Sequence, residues 1–462
     1  MMAQSKEAHE VRVKEGAAER QARIVTAINK SVFQSVCQHM ITLQSEPMLV
    51  SEICHGNVAQ SARLLANTQG IAGLLGLFLN QAGGKFSDAL GRKPGLLLGP
   101  LSNIIVGQLV FRYPGSRLLV LICRIVRMVL TTFSNTVMCT AALSDVCSGK
   151  DLALAMSTVG ATTSLAAISA PFLESIILQR TGSPRYSYLA LSLLGAVQLV
   201  HNLAAVPETL DAARRTVGGL ALSLQSLNPF GFLQLYTKGS KALQKMVTIA
   251  TFQMCLEGKN LSDVTEIWKR EHLKWSIRGS RNFVVAHGIL TVLSSVLLIP
   301  HLLKTRSPRA FTAVTDCANF AGFCLRGVAE APIVFVLANL LALPGVNGAS
   351  AAALKALSSD LAASEHFGRG EFSAWVNSLR AVAGSAAPVL YGNYYAWARR
   401  RGAPPGTVFM LAAIVGAVLP QVILWHTEND ELRPARVVAA SGTPPASECQ
   451  SPMAAGSPAR QH

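Results

Sequence analysis

Charge is what this chain has least of. Asp, Glu, Lys and Arg together make up 14% of it, against 50% hydrophobic residues. A soluble chain carries about a quarter charged residues, so an ordinary water-soluble fold is excluded and a polytopic membrane protein is expected. Paired cysteines are missing too. The nine cysteines (Cys37, Cys54, Cys123, Cys139, Cys147, Cys255, Cys317, Cys324 and Cys449) form no CxxC pair and no His-spaced set, which leaves no metal or redox motif to assign. Most stand inside apolar runs, where cysteine behaves as a small hydrophobe. No Walker-type phosphate loop occurs, which excludes an ATP-driven pump on this chain alone. No His, Asp or Cys cluster stands at catalytic spacing, so neither an enzyme nor a cofactor is expected. The segment Met1 to Arg23 is charged and lacks the apolar core of a cleavable signal. The formal charge of +16 is not a nucleic-acid signature, because the cations scatter through loops and helix ends with no aromatic interleaving.

What is there is a series of apolar blocks. A span needs about 20 apolar residues, and twelve blocks of uneven quality can be counted. Residues 1–23 read as a polar cytoplasmic arm. The first block, 24–43, holds Asn29, Lys30, Gln34, Gln38 and His39, and is stable in lipid only if these face a cavity or other helices. The others cover 59–83, 94–112, 118–145, 152–178 and 186–206, then 243–257, 282–303, 310–327, 332–360, 371–397 and 406–425. The polar stretch 211–240 is the expected linker between an N-terminal half, 24–210, and a C-terminal half, 241–425. Trp268 and Trp275, in the charged stretch 259–281, suit a membrane interface. The Pro-, Ser- and Ala-rich tail, 426–462, is expected to be disordered.

The chain is organised around Gly84-Lys85-Phe86-Ser87-Asp88-Ala89-Leu90-Gly91-Arg92-Lys93, a short charged hairpin between two apolar blocks. Gly84 allows close helix contact and Gly91 a backbone bend. Asp88 and Arg92 stand four apart, where a helical turn would pair them. The Lys93-Pro94 step reads as a helix restart. This stretch resembles the G-x-x-x-D-x-x-G-R-K signature between the second and third helices of major facilitator superfamily transporters. Pro207-Glu208-Thr209-Leu210 resembles a P-E-T-L ending found in several of its branches. The segment from Gly368-Arg369-Gly370-Glu371 to Ala387-Pro388 looks like the tetracycline-resistance and hippocampus-abundant-transcript branch. Residues 24–425 are covered by the resemblance.

An internal repeat supports two halves. Arg92 is echoed by Arg309 and Ala170-Pro171 by Ala387-Pro388, both 217 positions on. Ala142-Leu143-Ser144-Asp145 is echoed by Ala356-Leu357-Ser358-Ser359-Asp360. The expected fold is therefore an all-α membrane protein of twelve transmembrane helices in two six-helix halves, the major facilitator arrangement, with a central cavity.

The resemblance implies roles. Gly84, Asp88, Gly91, Arg92 and Lys93, with Asp145 as acidic partner, match the latch that holds the halves in one state. Ala89 replaces the usual arginine. Lys304, Arg306, Arg309 and Asp360 would form a second-half latch. Arg124 resembles the fourth-helix arginine of the family, with Arg127 competing for that assignment. Both lie toward one end of their span, so snorkelling to the interface stands as an alternative. Arg380 stands near a midplane, where charge normally marks a pathway or a pair, and Glu174, Glu257 and Asp316 are its candidate partners. Those three carboxylates are also the proton candidates. Glu174 replaces a small residue in a glycine-rich segment, which weakens an antiporter assignment.

The expectation is a multi-pass secondary transporter, antiporter or symporter, that moves a small organic solute by alternating access. Its partners would be solute, protons and lipid, and it would work as a monomer. The alternative is a non-transporting membrane sensor or scaffold on the same fold. The hairpin signature puts both termini in the cytoplasm. The basic residues in 259–281 and Arg399 to Arg401 then fall outside, against the positive-inside tendency.

Overall fold

The computed structural model describes residues 2–427 apart from 134–135, 148, 211–228, 257–259, 349–353, 355–357, 359–360, 363–364, 366 and 368. Among the described residues every regular element is helical. The first half comprises α1 (Met2–Met40), α2 (Ser45–Ile53), α3 (Val58–Leu90), α4 (Arg92–Arg112), α5 (Arg117–Phe133), α6 (Thr136–Val146), α7 (Gly149–Thr181) and α8 (Arg185–Ala205). The second begins with the short α9 (Gln234–Thr237), followed by α10 (Lys241–Met254), α11 (Ser262–Glu271), α12 (Ile277–Leu293), α13 (Ile299–Thr305), α14 (Pro308–Gly327) and α15 (Pro332–Leu341). It ends with α16 (Arg369–Arg400), α17 (Thr407–Ala413) and α18 (Leu419–Trp425).

Local chemistry sets many of these limits. Asn57 caps α3 by accepting from the Gln60 amide, and Ser240, Ser276 and Ser307 cap α10, α12 and α14 in the same way. Pro308 follows its cap at the first helical position, where its missing N–H costs nothing. Wide π-turns join α12 to α13 at Ser294–Leu298 and α17 to α18 at Ile414–Val418. Each is followed by a proline, Pro300 or Pro420, whose ring cannot sit in a tight helical ladder. Among the described residues, five helical stretches are long and apolar enough to cross a bilayer: Val58–Leu79, Arg92–Arg112, Thr158–Thr181, Arg185–Ala205 and Thr407–Trp425.

The repeat extends into the architecture. Ser45 opens α2 and Ser262 opens α11, again 217 positions apart. Both halves thus begin with a helix, a break and a short helix before their next long helix. Pro171 and Pro388 lie inside α7 and α16. The halves pack along two seams. Gly70 and Gly73 of α3 lie against Ser385 and Val389 of α16, and a Cβ on Gly73 would come within 2.9 Å of the Ser385 backbone. Ser385 Oγ donates to the Gly70 carbonyl at 2.7 Å. On the other side Ile168 of α7 meets Gly288 of α12, and Arg278 Nε donates to Gln179 Oε1 at 3.2 Å. A single apolar core joins Val50, Cys54, Ala62 and Leu65 of the first half to Trp268, Tyr391, Tyr395 and Phe409 of the second. Those first-half residues lie toward the α2 end of the molecule, hereafter the Ser45 end. The opposite end carries Gly91.

Several expectations change here. The charged stretch is not a loop, because α3 runs to Leu90 and the whole reversal is made at Gly91, with φ 105°. The polar arm is continuous in helix with the first span, since α1 begins at Met2. Trp268 is not interfacial: it is fully buried against Phe335 and Phe409. Within its helix, α11, Lys269 Nζ donates to Glu266 Oε1 at 2.6 Å, so that two of the segment's charges can be packed inside as a pair. Phe232 and Leu235, within the expected linker, belong to the second half's core. The remainder of that linker, 211–228, and the tail from 428 lie outside the described residues.

Candidate functional site

Two polar constellations stand at opposite ends of the molecule. At the Gly91 end, Glu208 does what the sequence did not reveal. Its carboxylate accepts from the amides of Arg92 at 2.8 Å, Lys93 at 3.1 Å and Leu210 at 3.0 Å. An anion at the exposed amides of a helix start is stabilised by hydrogen bonds and by the helix dipole. Gly91 is required twice over, by its positive φ and because a Cβ there would lie 2.3 Å from Glu208 Oε2. Arg92 Nε donates to Asp145 Oδ2 at 2.9 Å, and its guanidinium also reaches Ser87 Oγ at 2.8 Å. Thr209 Oγ1 donates to the same Asp145 oxygen at 3.3 Å. Lys93 Nζ bonds the Leu203 carbonyl. Arg92, Lys93 and Asp145 are therefore brought together, and Gly91 shapes the turn between them. Gly84 and Asp88 lie in α3, and their side-chain surroundings fall outside the described residues.

At the Ser45 end the centre is Arg124. Only 3% exposed, it pairs with Glu46 at 3.0 Å and with Asp263 at 2.6 Å. Glu46 belongs to its own half and Asp263 to the other. The two acids stand 217 positions apart, so one arginine is gripped by the same position of both repeats. Arg127, 5% exposed, donates to the Gln38 carbonyl at 2.7 Å and to Thr42 Oγ1 at 2.8 Å, anchoring α5 to the end of α1. Neither arginine snorkels; both are consumed inside the protein. Arg270 of α11 adds a second link between the halves by donating to the Gln44 carbonyl at 3.0 Å.

Glu174 turns out to serve this same junction. It is fully buried and accepts from the Gln44 amide at 3.0 Å, the Ser45 amide at 2.7 Å and Ser45 Oγ at 2.6 Å. A carboxylate so placed caps α2; its acceptor positions face a helix start and not a cavity. Asp316 is also fully buried, between Gln253 Nε2 at 2.8 Å and Gln421 Nε2 at 3.0 Å. It sits between α14 and α18, on the periphery of the second half. Glu257 and Asp360 lie outside the described residues.

Arg380 is exposed. Gly384, Ala387, Tyr391 and Tyr395 follow it at helical spacing, and the last three are almost fully buried in the shared core. The same stripe of α16 is thus covered at the Ser45 end and open at Arg380. In the second-half set, Arg309 bonds the Thr427 carbonyl at 2.8 Å, while Lys304 and Arg306 are exposed. Among the described residues no group of three or more His, Cys, Asp or Glu side chains converges as a metal site.

Two similar helical halves, joined at one end through a shared core and a buried arginine, define a membrane protein of two-domain transporter architecture. The chain belongs to the major facilitator superfamily, whose family model matches residues 47–388. No curated protein matches it by sequence. Among solved structures it is similar to the human organic anion transporter MFSD10 (TETRAN), at 17% identity and a TM-score of 0.61, covering 87% of this chain and 99% of that one. It is similar to the nucleoside transporter NupG at 13% identity and a TM-score of 0.64, covering 88% and 100%. A D-xylose-proton symporter matches at 14% identity and a TM-score of 0.61, covering 87% and 96%. At such identities the likeness is one of fold.

Proposed function

We propose that this protein is a secondary transporter that moves a small organic solute by rocking its two halves about a central cavity. The observation that carries the reading is the Arg124 triad. Arg124 keeps Glu46 whatever the halves do, since both belong to one half, whereas Asp263 must leave when the Ser45 ends part. The arginine is therefore never abandoned, and what it gives up reversibly is one charge-assisted hydrogen bond. An immobile scaffold has no use for a partner shared in this way. In this reading the state described here is closed at the Ser45 end, taken as the non-cytoplasmic side. The Arg92–Asp145 cluster with Asp88 is the cytoplasmic latch, and Arg380 lies on the open part of the cavity wall, where it meets an anionic group or a proton-linked carboxylate. Glu174 is a structural cap in this scheme.

The test is uptake by protein reconstituted in liposomes, across a panel of labelled organic solutes, with and without a pH gradient. Saturable uptake that Arg380→Ala abolishes without loss of folded protein supports the proposal. A correctly folded protein that transports no member of a broad panel under either condition would favour the sensor or scaffold instead.

A further inference from the structure

Beyond transport through the centre, we propose a second binding site on the flank of the second half, for a protonated amine with an apolar body that enters from the bilayer. A groove of about 530 Å³ lies between α14 and α18, within the usual range of about 300–1,000 Å³ for small-molecule pockets. Val418, Gln421, Val422 and Trp425 line one wall as a single helical stripe, and Phe320 and Cys317 line the other. At its floor is Asp316, roughly 12 Å along α14 from its start at 1.5 Å per residue. Phe320 is 43% exposed and Trp425 82% exposed, so the groove opens away from the protein toward its apolar surroundings.

The chemistry of the floor selects the ligand. Both described partners of Asp316 are amide N–H donors, Gln253 on Oδ1 and Gln421 on Oδ2. Two donors with no acceptor among them mean that the carboxyl meets its neighbours only as an acceptor. They occupy two of its roughly four lone-pair directions; no Lys or Arg lines the groove, and its basic side chain, His426, is engaged through Nδ1 with the Val422 carbonyl at 2.8 Å. A buried anion in an apolar environment is costly unless a cation meets it. An ammonium group supplies both the charge and the missing donors, and an aliphatic or aromatic body fills walls that are otherwise almost wholly apolar. A neutral lipid chain would fit the walls but leave the floor as it is.

Cys317 lines the groove and is exposed, which gives a readout independent of transport. The full-length protein in phosphatidylcholine nanodiscs is alkylated with N-ethylmaleimide, and modification of the Cys317 peptide is followed by mass spectrometry. Dodecylamine is compared with dodecan-1-ol at equal content in the bilayer. Dodecylamine should slow Cys317 alkylation roughly tenfold more than the alcohol does, the return expected of one hydrogen bond to a charged group. In Asp316→Asn the two compounds should protect equally. Equal protection by amine and alcohol in the unmodified protein overturns the proposal, marking the groove as a seat for any lipid chain. Retained amine preference in Asp316→Asn overturns it as well. The comparison on unmodified protein decides the matter even where the variant fails to insert.

Discussion

Asp263→Asn separates a latch from a structural ion pair. In the described state Arg124 holds two carboxylates, and the substitution removes one charge while Glu46, at 3.0 Å, still neutralises the guanidinium. No charge is stranded, so the cost of about 3–5 kcal/mol for breaking a buried pair does not apply. What is lost is one hydrogen bond between charged groups, about 1.5–3 kcal/mol. Because Asp263 is on the opposite half, that loss falls on the contact between the Ser45 ends and not on the fold of either half. At 1.4 kcal/mol per factor of ten, the open form should gain roughly ten- to a hundredfold in population. Cys54 reports it without an engineered label. It is 5% exposed and belongs to the core shared by the halves, so it becomes accessible when they part. Its alkylation by a membrane-impermeant maleimide, followed by peptide mass spectrometry, should accelerate at least about tenfold in Asp263→Asn at unchanged melting temperature. An unchanged Cys54 rate in folded variant protein would refute the latch. A collapse in melting temperature would mean that the pair holds the fold itself.

Further outcomes are expected at the other positions. Arg124→Leu strands two buried carboxylates, Glu46 and Asp263, and should cost at least about 3–5 kcal/mol, seen as a marked fall in detergent melting temperature or as failed insertion. Gly91→Ala forces a side chain onto a positive φ and against Glu208, and should destabilise by about 1–3 kcal/mol. Glu208→Gln keeps the shape but weakens the cap and should show a smaller fall in the same thermal assay. Asp88→Asn should slow solute transport while leaving equilibrium solute binding near that of the parent, which a parallel binding titration checks. Arg380→Ala should retain the parent melting temperature and lose uptake; a lowered melting temperature rescued by removing a nearby carboxylate would make it a structural pair.

The sequence alone determined the class and the plan of the chain. Scarce charge and repeated apolar blocks leave no soluble fold. The Gly84 to Lys93 signature and the 217-residue echo of Arg92 and Pro171 point to two like halves, because such features depend on local spacing. Glycine at position 91 was legible as a bend for the same reason. Which charges meet was a different matter. Glu208 stood in a motif read only as a family mark, and its role as the cap of α4 depends on α8 returning to the start of α4 in space. Glu46 and Asp263 went unnoticed, although extending the same offset to Ser45 and Ser262 would have aligned them. Even so, alignment cannot show that both grip Arg124, because that contact exists only where the two halves are packed together. Glu174, Arg124 and Arg127 read as cavity candidates because intramembrane charge is costly and needs a partner. The partners turned out to be a helix start, two acids and the end of α1, which only the tertiary structure could supply.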